Sequence, residues 1–248
     1  VFRDLVRAVP DDGLIVACNE NEKLAELTSD APCYVRTYGR KDADFIYHDV
    51  AQTAGGLAFS ITHREHTYPI ESRLLGEFQA ANLTGAFTLA LHIGIPAEKI
   101  IESIASFPGM KRRLEKRYDG AMTIFDDIAH SPAKAKATLE TLRQMYPKNK
   151  IIAVFEPNTG NRQPEAISGY DHAFAAANAV MIPELTKIKQ DKNSVREPFS
   201  GRDIRNFIAK THPNAWNCAD DQELVDVIYK ELTLGDVVVF LGSHGFRG

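Results

Sequence analysis

The feature that most limits how this chain can fold is a rhythm that begins after Pro108-Gly109. Short, nearly unbroken apolar runs alternate with amphipathic stretches: "AMTIFDD", "IIAVFEP", "AVMIPE" and "DVVVFLG", with "AWNCA" as a weaker fifth. The amphipathic stretches cover 132–145, 164–178, 201–210 and 220–232 and predict helices. A strand that is apolar on both faces needs cover on both faces, and alternation with helices provides it. The rhythm therefore predicts an α/β domain built on a mostly parallel sheet.

Before that breaker pair the pattern is different. "GLIVAC" and "CYVRTYG" read as strands around a helix over "ENEKLAELTS". "DFIYHDV" and "GGLAFSITHREHTYPIES" alternate within each run and turn on the polar "HREH", the signature of an antiparallel hairpin region. Two helices follow, "GEFQAANLTGAFTLALHIG" and "PAEKIIESIASF", the first ending on Gly94 and the second opening at Pro96. The expected division is residues 1–107 and 108–248.

Charge and composition narrow the function. With 29 basic and 33 acidic residues, the chain has no general attraction for nucleic acid or an anionic membrane. It has no apolar run of the roughly 18 residues a bilayer span needs. Its opening, "VFRDLVRAVPDDG", lacks the apolar core of a signal peptide. Three widely spaced cysteines, Cys18, Cys33 and Cys218, argue against a disulfide framework and for the reducing cytoplasm. Cys18 and Cys33 are expected in the core with Cys218. The chain contains no "GxxxxGK[ST]", "GxGxxG" or "GxSxG", so a stand-alone kinase, dehydrogenase or hydrolase is poorly supported. Both ends read as cut.

In open α/β sheets, ligands gather beyond the carboxyl ends of the strands. After the first strand of the second part lie Asp126, Asp127 and His130. After the second lie Glu156, Asn158, Thr159, Asn161 and Arg162, and after the last lie Ser243, His244 and Arg247. Three polar loops on one rim make a site hypothesis. Each has a plainer reading beside it. Ser131-Pro132 fits a helix N-cap with proline at the first helical position, and an aspartate there suits the helix dipole. Arg112 and Arg113 fit solvated surface charges, and the His63/His66 pair fits a hairpin turn better than a metal site.

These residues resemble the Mur ligases, ATP-dependent amide-forming enzymes of peptidoglycan synthesis. "FPGMKRRLE", "DDIAHSPAKAKATLETLR" and "IIAVFEPNTGNR" are similar to that family's "GvkRRfe", "DDyaHhPt…atl…lr" and "vFqPh…R" blocks. "GEFQAANLTGAFTLALHIGIPAEKI" is similar to the helix that closes its central ATPase domain. The resemblance runs over nearly the whole chain and leans toward two branches, the alanine ligases and the murein tripeptide ligases. It implies the end of the central domain followed by a C-terminal Rossmann-like domain. The phosphate loop, the carbamylated lysine and the main Mg2+ ligands would precede Val1. The implied reaction uses ATP to phosphorylate a carboxylate of UDP-N-acetylmuramate, and an amino acid or the murein tripeptide then attacks the acyl phosphate.

The resemblance also implies residue roles. Arg113 would meet the transferred phosphoryl group and Asp127 the ribose. Gln79 and Asn82 would contact adenine, and His130 would stand near the phosphates or the amine. Asn158, Arg162, Ser243 and His244 would line the acceptor pocket. This chain departs from the family at Phe78-Gln79 (usually His-Asn), at Ser131 (usually a second histidine) and at "EPNTGNR". Two alternatives stand beside this reading: a folylpolyglutamate- or cyanophycin-synthetase-like ligase, and a nucleotide-binding domain without catalysis.

Overall fold

Two sheets, one in each half of the chain, organise the structure, a computed structural model in which residues 1–20, 22–53, 55–185 and 197–243 are described. The chain divides into two compact units, Val1–Pro108 and Gly109–Gly248.

In the first unit, five strands lie in chain order: β1 (Leu14–Cys18), β2 (Tyr34–Gly39), β3 (Phe45–Thr53), β4 (Gly56–His63) and β5 (His66–Ser72). The pairs β1/β2 and β2/β3 are parallel, and β3, β4 and β5 form an antiparallel meander. The expected "HREH" hairpin is there, with His63 opposite His66 and Arg64 turned to φ 55°. His63 is occupied structurally, its ring 3.9 Å from that of Phe45 and its Nδ1 bonded to the Asp44 carbonyl. Short helices α1 (Phe2–Arg7) and α2 (Glu22–Thr28) precede and follow β1.

Helix α3 (Phe78–His92) carries buried residues at 80, 83, 84, 87 and 88, the spacing that puts one face on a core. Phe87 is wholly buried there with Phe45, Leu57, Ile61 and Ile70. Helix α4 (Ala97–Ser106) adds Ile100 and Ile104. Cys18 and Cys33 are only half-buried, unlike Cys218: Cys18 ends β1 and Cys33 lies just outside β2.

The second unit has six strands in the order β10-β9-β8-β11-β7-β6. These are β6 (Glu115–Asp119), β7 (Thr123–Asp127), β8 (Ile151–Glu156), β9 (Ala179–Ile182), β10 (Ala215–Asn217) and β11 (Val237–Gly242). All pairings are parallel except β6/β7. Strand β6 reads "EKRYD"; an exposed polar edge strand of this kind carries no apolar pattern to announce it. The central strands are buried as their continuous apolar runs require, Ile151 to Phe155 all at 0% exposure.

Helix α5 (Pro132–Met145) starts where the sequence places it, with Ser131 as N-cap and Pro132 at the first turn. Helices α6 (Gly201–Ala209) and α7 (Asp221–Glu231) open on Ser200 and Asp220 caps, the first as a capping box with Asp203. The stretch 164–178 is not an α-helix. It is a 3₁₀ segment, Pro164–Tyr170, followed by turns. Its backbone bonds continue at three-residue spacing, from Ala173 to Tyr170 and from Ala177 to Phe174. Left-handed His172 (φ 51°) interrupts helical propagation, yet Phe174 still packs into the core against Phe155.

Candidate functional site

Strand β11 lies between β7 and β8, and the register sets Leu241 opposite Asp127 and Gly242 opposite Glu156. The loops that begin at Asp127, Glu156 and Ser243 therefore leave one edge of the sheet side by side. The expected rim exists, and its first wall is the segment before β6.

That segment, 109–114, has an unusual backbone. Gly109 has φ 91°, Arg112 58° and Leu114 51°, so two of the six non-glycine residues with positive φ among the described residues flank Arg113. Each left-handed side-chain-bearing residue costs roughly 1–2 kcal/mol, so something must hold it. Glu115 Oε2 accepts the Arg112 N–H at 2.8 Å, and Asp127 Oδ2 accepts the Leu114 N–H at 2.7 Å. The Ile128 N–H donates to the Arg112 carbonyl at 2.8 Å. The other Asp127 oxygen accepts the Ala129 N–H, also at 2.7 Å. Asp127 is 6% exposed, and burial pushes its carboxyl above the ordinary range against the pull of those two amides and Arg113. Both of its oxygens are thus committed to the backbone, one on each side of the rim.

The two arginines have separate fates. Arg112 Nε lies 3.2 Å from Asp126 Oδ2, and its Nη2 and Nη1 donate to the carbonyls of Gly242 (2.7 Å) and Ser243 (3.3 Å). It fastens the ends of β7 and β11 together. Arg113 is exposed, and its guanidinium makes no hydrogen bond or ion pair with a described residue.

His130 is half-buried, and its Nδ1–H donates to the Ile128 carbonyl at 2.7 Å, which leaves Nε2 to face elsewhere. Asn158 joins the same corner, its N–H reaching the His130 carbonyl at 3.4 Å. Its side-chain oxygen is taken by the N–H and side-chain amide of Asn161, at 3.1 and 2.6 Å. Arg162, though on the same loop, points to the other end of the rim. It is 9% exposed, its Nε donates to the Phe199 carbonyl at 2.7 Å, and burial lowers its pKa. Ser243 contributes its carbonyl to Arg112; His244 lies outside the described residues.

Arg162 lines a cavity of about 430 Å³ beyond β8, β9 and β10, with Glu184, Ser200, Arg202, Asn217 and Cys218. Sequence reasoning did not find this cavity. The available signal was Arg202, a cation in the first turn of a helix, where the dipole disfavours it. Burial raises the Cys218 thiol to about 11, so it stays protonated.

In the first unit, Gln79 and Asn82 sit one turn apart at the start of α3, and Asn82 Nδ2 donates to Gln79 Oε1 at 3.0 Å. That leaves the Gln79 amide N–H and the Asn82 oxygen to present one donor and one acceptor. Among the described residues no group of three His, Cys, Asp or Glu is placed to hold a metal ion, and no helix is long and apolar enough to cross a membrane.

Comparison with known proteins fits this architecture. Residues 112–244 match the Mur ligase glutamate ligase domain and residues 1–90 the Mur ligase middle domain. UDP-N-acetylmuramate–L-alanine ligase of Clostridium tetani is 24% identical over 98% of this chain and 53% of its own length. The crystal structure of Thermotoga maritima MurF ligase in complex with ADP superposes with a TM-score of 0.75 at 14% identity, covering 98% of this chain and 53% of the other. That of the Psychrobacter arcticus murein peptide ligase gives 0.71 at 18%, covering 99% and 51%. The chain spans about half the length of the curated relatives it matches. The chain belongs to the Mur ligase family.

Proposed function

We propose that the protein to which this chain belongs is an ATP- and Mg2+-dependent ligase that joins the amine of an amino acid or peptide to the muramoyl carboxylate of UDP-N-acetylmuramate. The observation that carries this is Arg113, an exposed cation held between two left-handed residues whose amides are clamped by Glu115 and Asp127. A relative of this chain bears the name of a UDP-N-acetylmuramate ligase, and a structural neighbour was solved with ADP.

Each unit, taken by itself, carries groups that suit part of a nucleotide. Arg113 offers an uncommitted guanidinium fork for phosphate oxygens, and the Gln79–Asn82 pair offers a donor and an acceptor of the kind an adenine edge requires. When bound, ATP supplies the phosphoryl group that turns a carboxylate into an acylating agent. Arg113 would meet negative charge there with its guanidinium, from a main chain that Glu115 and Asp127 already fix on either side. Asp127 enters as the clamp that fixes it; a ribose contact would have to share oxygens already engaged with Leu114 and Ala129. His130, with its Nδ1 proton held by the Ile128 carbonyl, presents Nε2 to take a proton from the incoming amine. The reading assigns the magnesium ligands to residues other than those described.

The test is phosphate release by the full-length parent with ATP, Mg2+ and UDP-N-acetylmuramate, offering L-alanine or the murein tripeptide in turn. Release that depends on one of these amines is expected. A folded protein that binds ATP but releases phosphate with neither would overturn the proposal.

A further inference from the structure

The first unit has a cavity of its own, about 150 Å³, whose lining includes Arg36, Arg64, His63 and His92 around the aromatic ring of Phe45. Two guanidiniums and two imidazoles share this small space, and no described carboxylate lines it. Asp44 stands behind it, with Oδ1 3.8 Å from Arg36 Nη1 and Oδ2 turned to the N–H and hydroxyl of Thr37, at 2.9 and 3.2 Å. Arg64 is exposed and forms no hydrogen bond or ion pair with a described residue. One acid therefore answers two arginines.

Plainer roles do not account for this gathering. Arg64 is the first residue of the two-residue loop between β4 and β5, and it alone of the pair is left-handed, at φ 55°. That position favours glycine, which meets no steric clash there, so an arginine breaks a local preference. His92 ends α3, where a cation suits the helix dipole. It is not needed as a cap, because the carbonyls of Leu89, Ala90 and Leu91 already accept the N–H groups of Ile93, Ile95 and Gly94.

Size and chemistry narrow the occupant. Pockets for drug-sized ligands begin near about 300 Å³, so this one takes a small ion or the terminal group of a larger molecule. His63 Nδ1 donates to the Asp44 carbonyl at 2.7 Å, so a bond to the occupant falls to Nε2, which accepts in the neutral ring. The occupant has to meet guanidinium forks with anionic oxygens and offer one proton to Nε2. A phosphate group does both, because its second proton leaves only near pH about 6. Sulfate has no proton to give.

We infer that this cavity is a binding site for a singly protonated phosphate group, with Arg36 and Arg64 on its oxygens and His63 Nε2 accepting a hydrogen bond from its hydroxyl. The site lies wholly within the first unit and does not depend on the ligase reading. Along α3, at about 1.5 Å per residue, His92 is about 20 Å from Gln79, so an adenine held at Gln79 does not fill it.

Calorimetry tests this on the 248-residue chain with inorganic phosphate, methyl phosphate and sulfate, at neutral pH and one ionic strength. Inorganic phosphate should give saturable heat, and sulfate should bind about tenfold or more weakly. Methyl phosphate binding as tightly as phosphate would assign the site to the end of a larger phosphate monoester, and binding of phosphate alone would assign it to the free ion. Arg64→Gln should weaken phosphate about tenfold. Arg64→Gly should weaken it equally while raising Tm, since glycine relieves the left-handed turn; weaker binding in a protein that melts higher is not misfolding. Absence of saturable heat with phosphate, equal affinity for sulfate, or Arg64 variants that bind like the wild type would each overturn the inference. So would loss of the heat in Arg113→Gln in place of the Arg64 variants, which would put the anion on the rim of the second unit.

Discussion

The two ends of the second unit's rim are built on opposite plans. Over β7 and β11, Asp126, Asp127, Glu115 and Arg112 have bonding atoms committed to backbone amides, backbone carbonyls or one another, and Arg113 stands among them as an exposed cation. Over β9 and β10, Arg162, Ser200 and Asn217 also bond the backbone, but they leave a cavity of about 430 Å³ with the exposed Arg202 at its edge. A geometry fixed through main-chain atoms is expensive to alter by substitution, whereas one made of protruding side chains changes with each residue. The first plan suits a step common to every turnover; the second suits a partner that differs between related proteins.

The largest effect should come from the open cation of the fixed end. Arg113→Ala in the full-length parent is expected to lower turnover about 10³-fold, the scale of removing a transition-state charge contact, with ATP affinity changed by no more than a few-fold. Steady-state phosphate release and nucleotide titration check the two halves. Unchanged turnover would remove Arg113 from the reaction and erase the functional side of the contrast.

Next is its neighbour. Arg112→Ala leaves the part-buried Asp126 carboxylate and the carbonyls of Gly242 and Ser243 without their donor, so the second unit should lose about 3 kcal/mol. Trp216 fluorescence in a urea titration follows that unit alone, since no other tryptophan is present. Lysine should not restore the loss, because one ammonium cannot replace a fork serving three acceptors. If the two alanine variants were equally stable, the distinction between them would fail.

The clamp itself is the third target. Asparagine at 127 offers one oxygen where two are used, setting an amide donor against a backbone N–H, and should cost about 2 kcal/mol. The pH dependence has a definite sign. Because burial raises the folded-state pKa of Asp127, the folded protein holds the proton more tightly than the unfolded chain. The wild type's advantage over Asp127→Asn should therefore be largest at acid pH and shrink as pH rises from the ordinary 3.8 through the folded value. An advantage that grows with pH over that window would mean that the amide bonds outweigh burial.

Much of this was legible in the sequence. Ser131-Pro132 gave the start of α5, and the apolar runs gave the parallel strands, because capping and two-sided burial are local demands. The rim followed from strand polarity alone. What could not be read were features set by distant partners. "EKRYD" becomes a strand only because β7 pairs with it, and 164–178 has helical composition but is stopped by left-handed His172. Arg112 and Arg113 look alike in a sequence; the β11 carbonyls, 130 residues away, make one structural. Arg202 and Asn217 meet only because β10 lies beside β9.

The smallest expected effect bears most directly on the open end of the rim. Arg202 occupies the second position of α6, where a positive charge faces the positive end of the helix dipole. Replacing it with glutamine removes that opposition and no hydrogen bond or ion pair to a described residue, so the second unit should be unchanged or more stable by about 0.3–0.5 kcal/mol. Asp203 partly offsets the charge already, which keeps the gain small. The sign matters more than the size. A gain would show that Arg202 contributes nothing to holding the fold, whereas a loss comparable with that of Arg112→Ala would make Arg202 another fastener and give both ends of the rim the same plan.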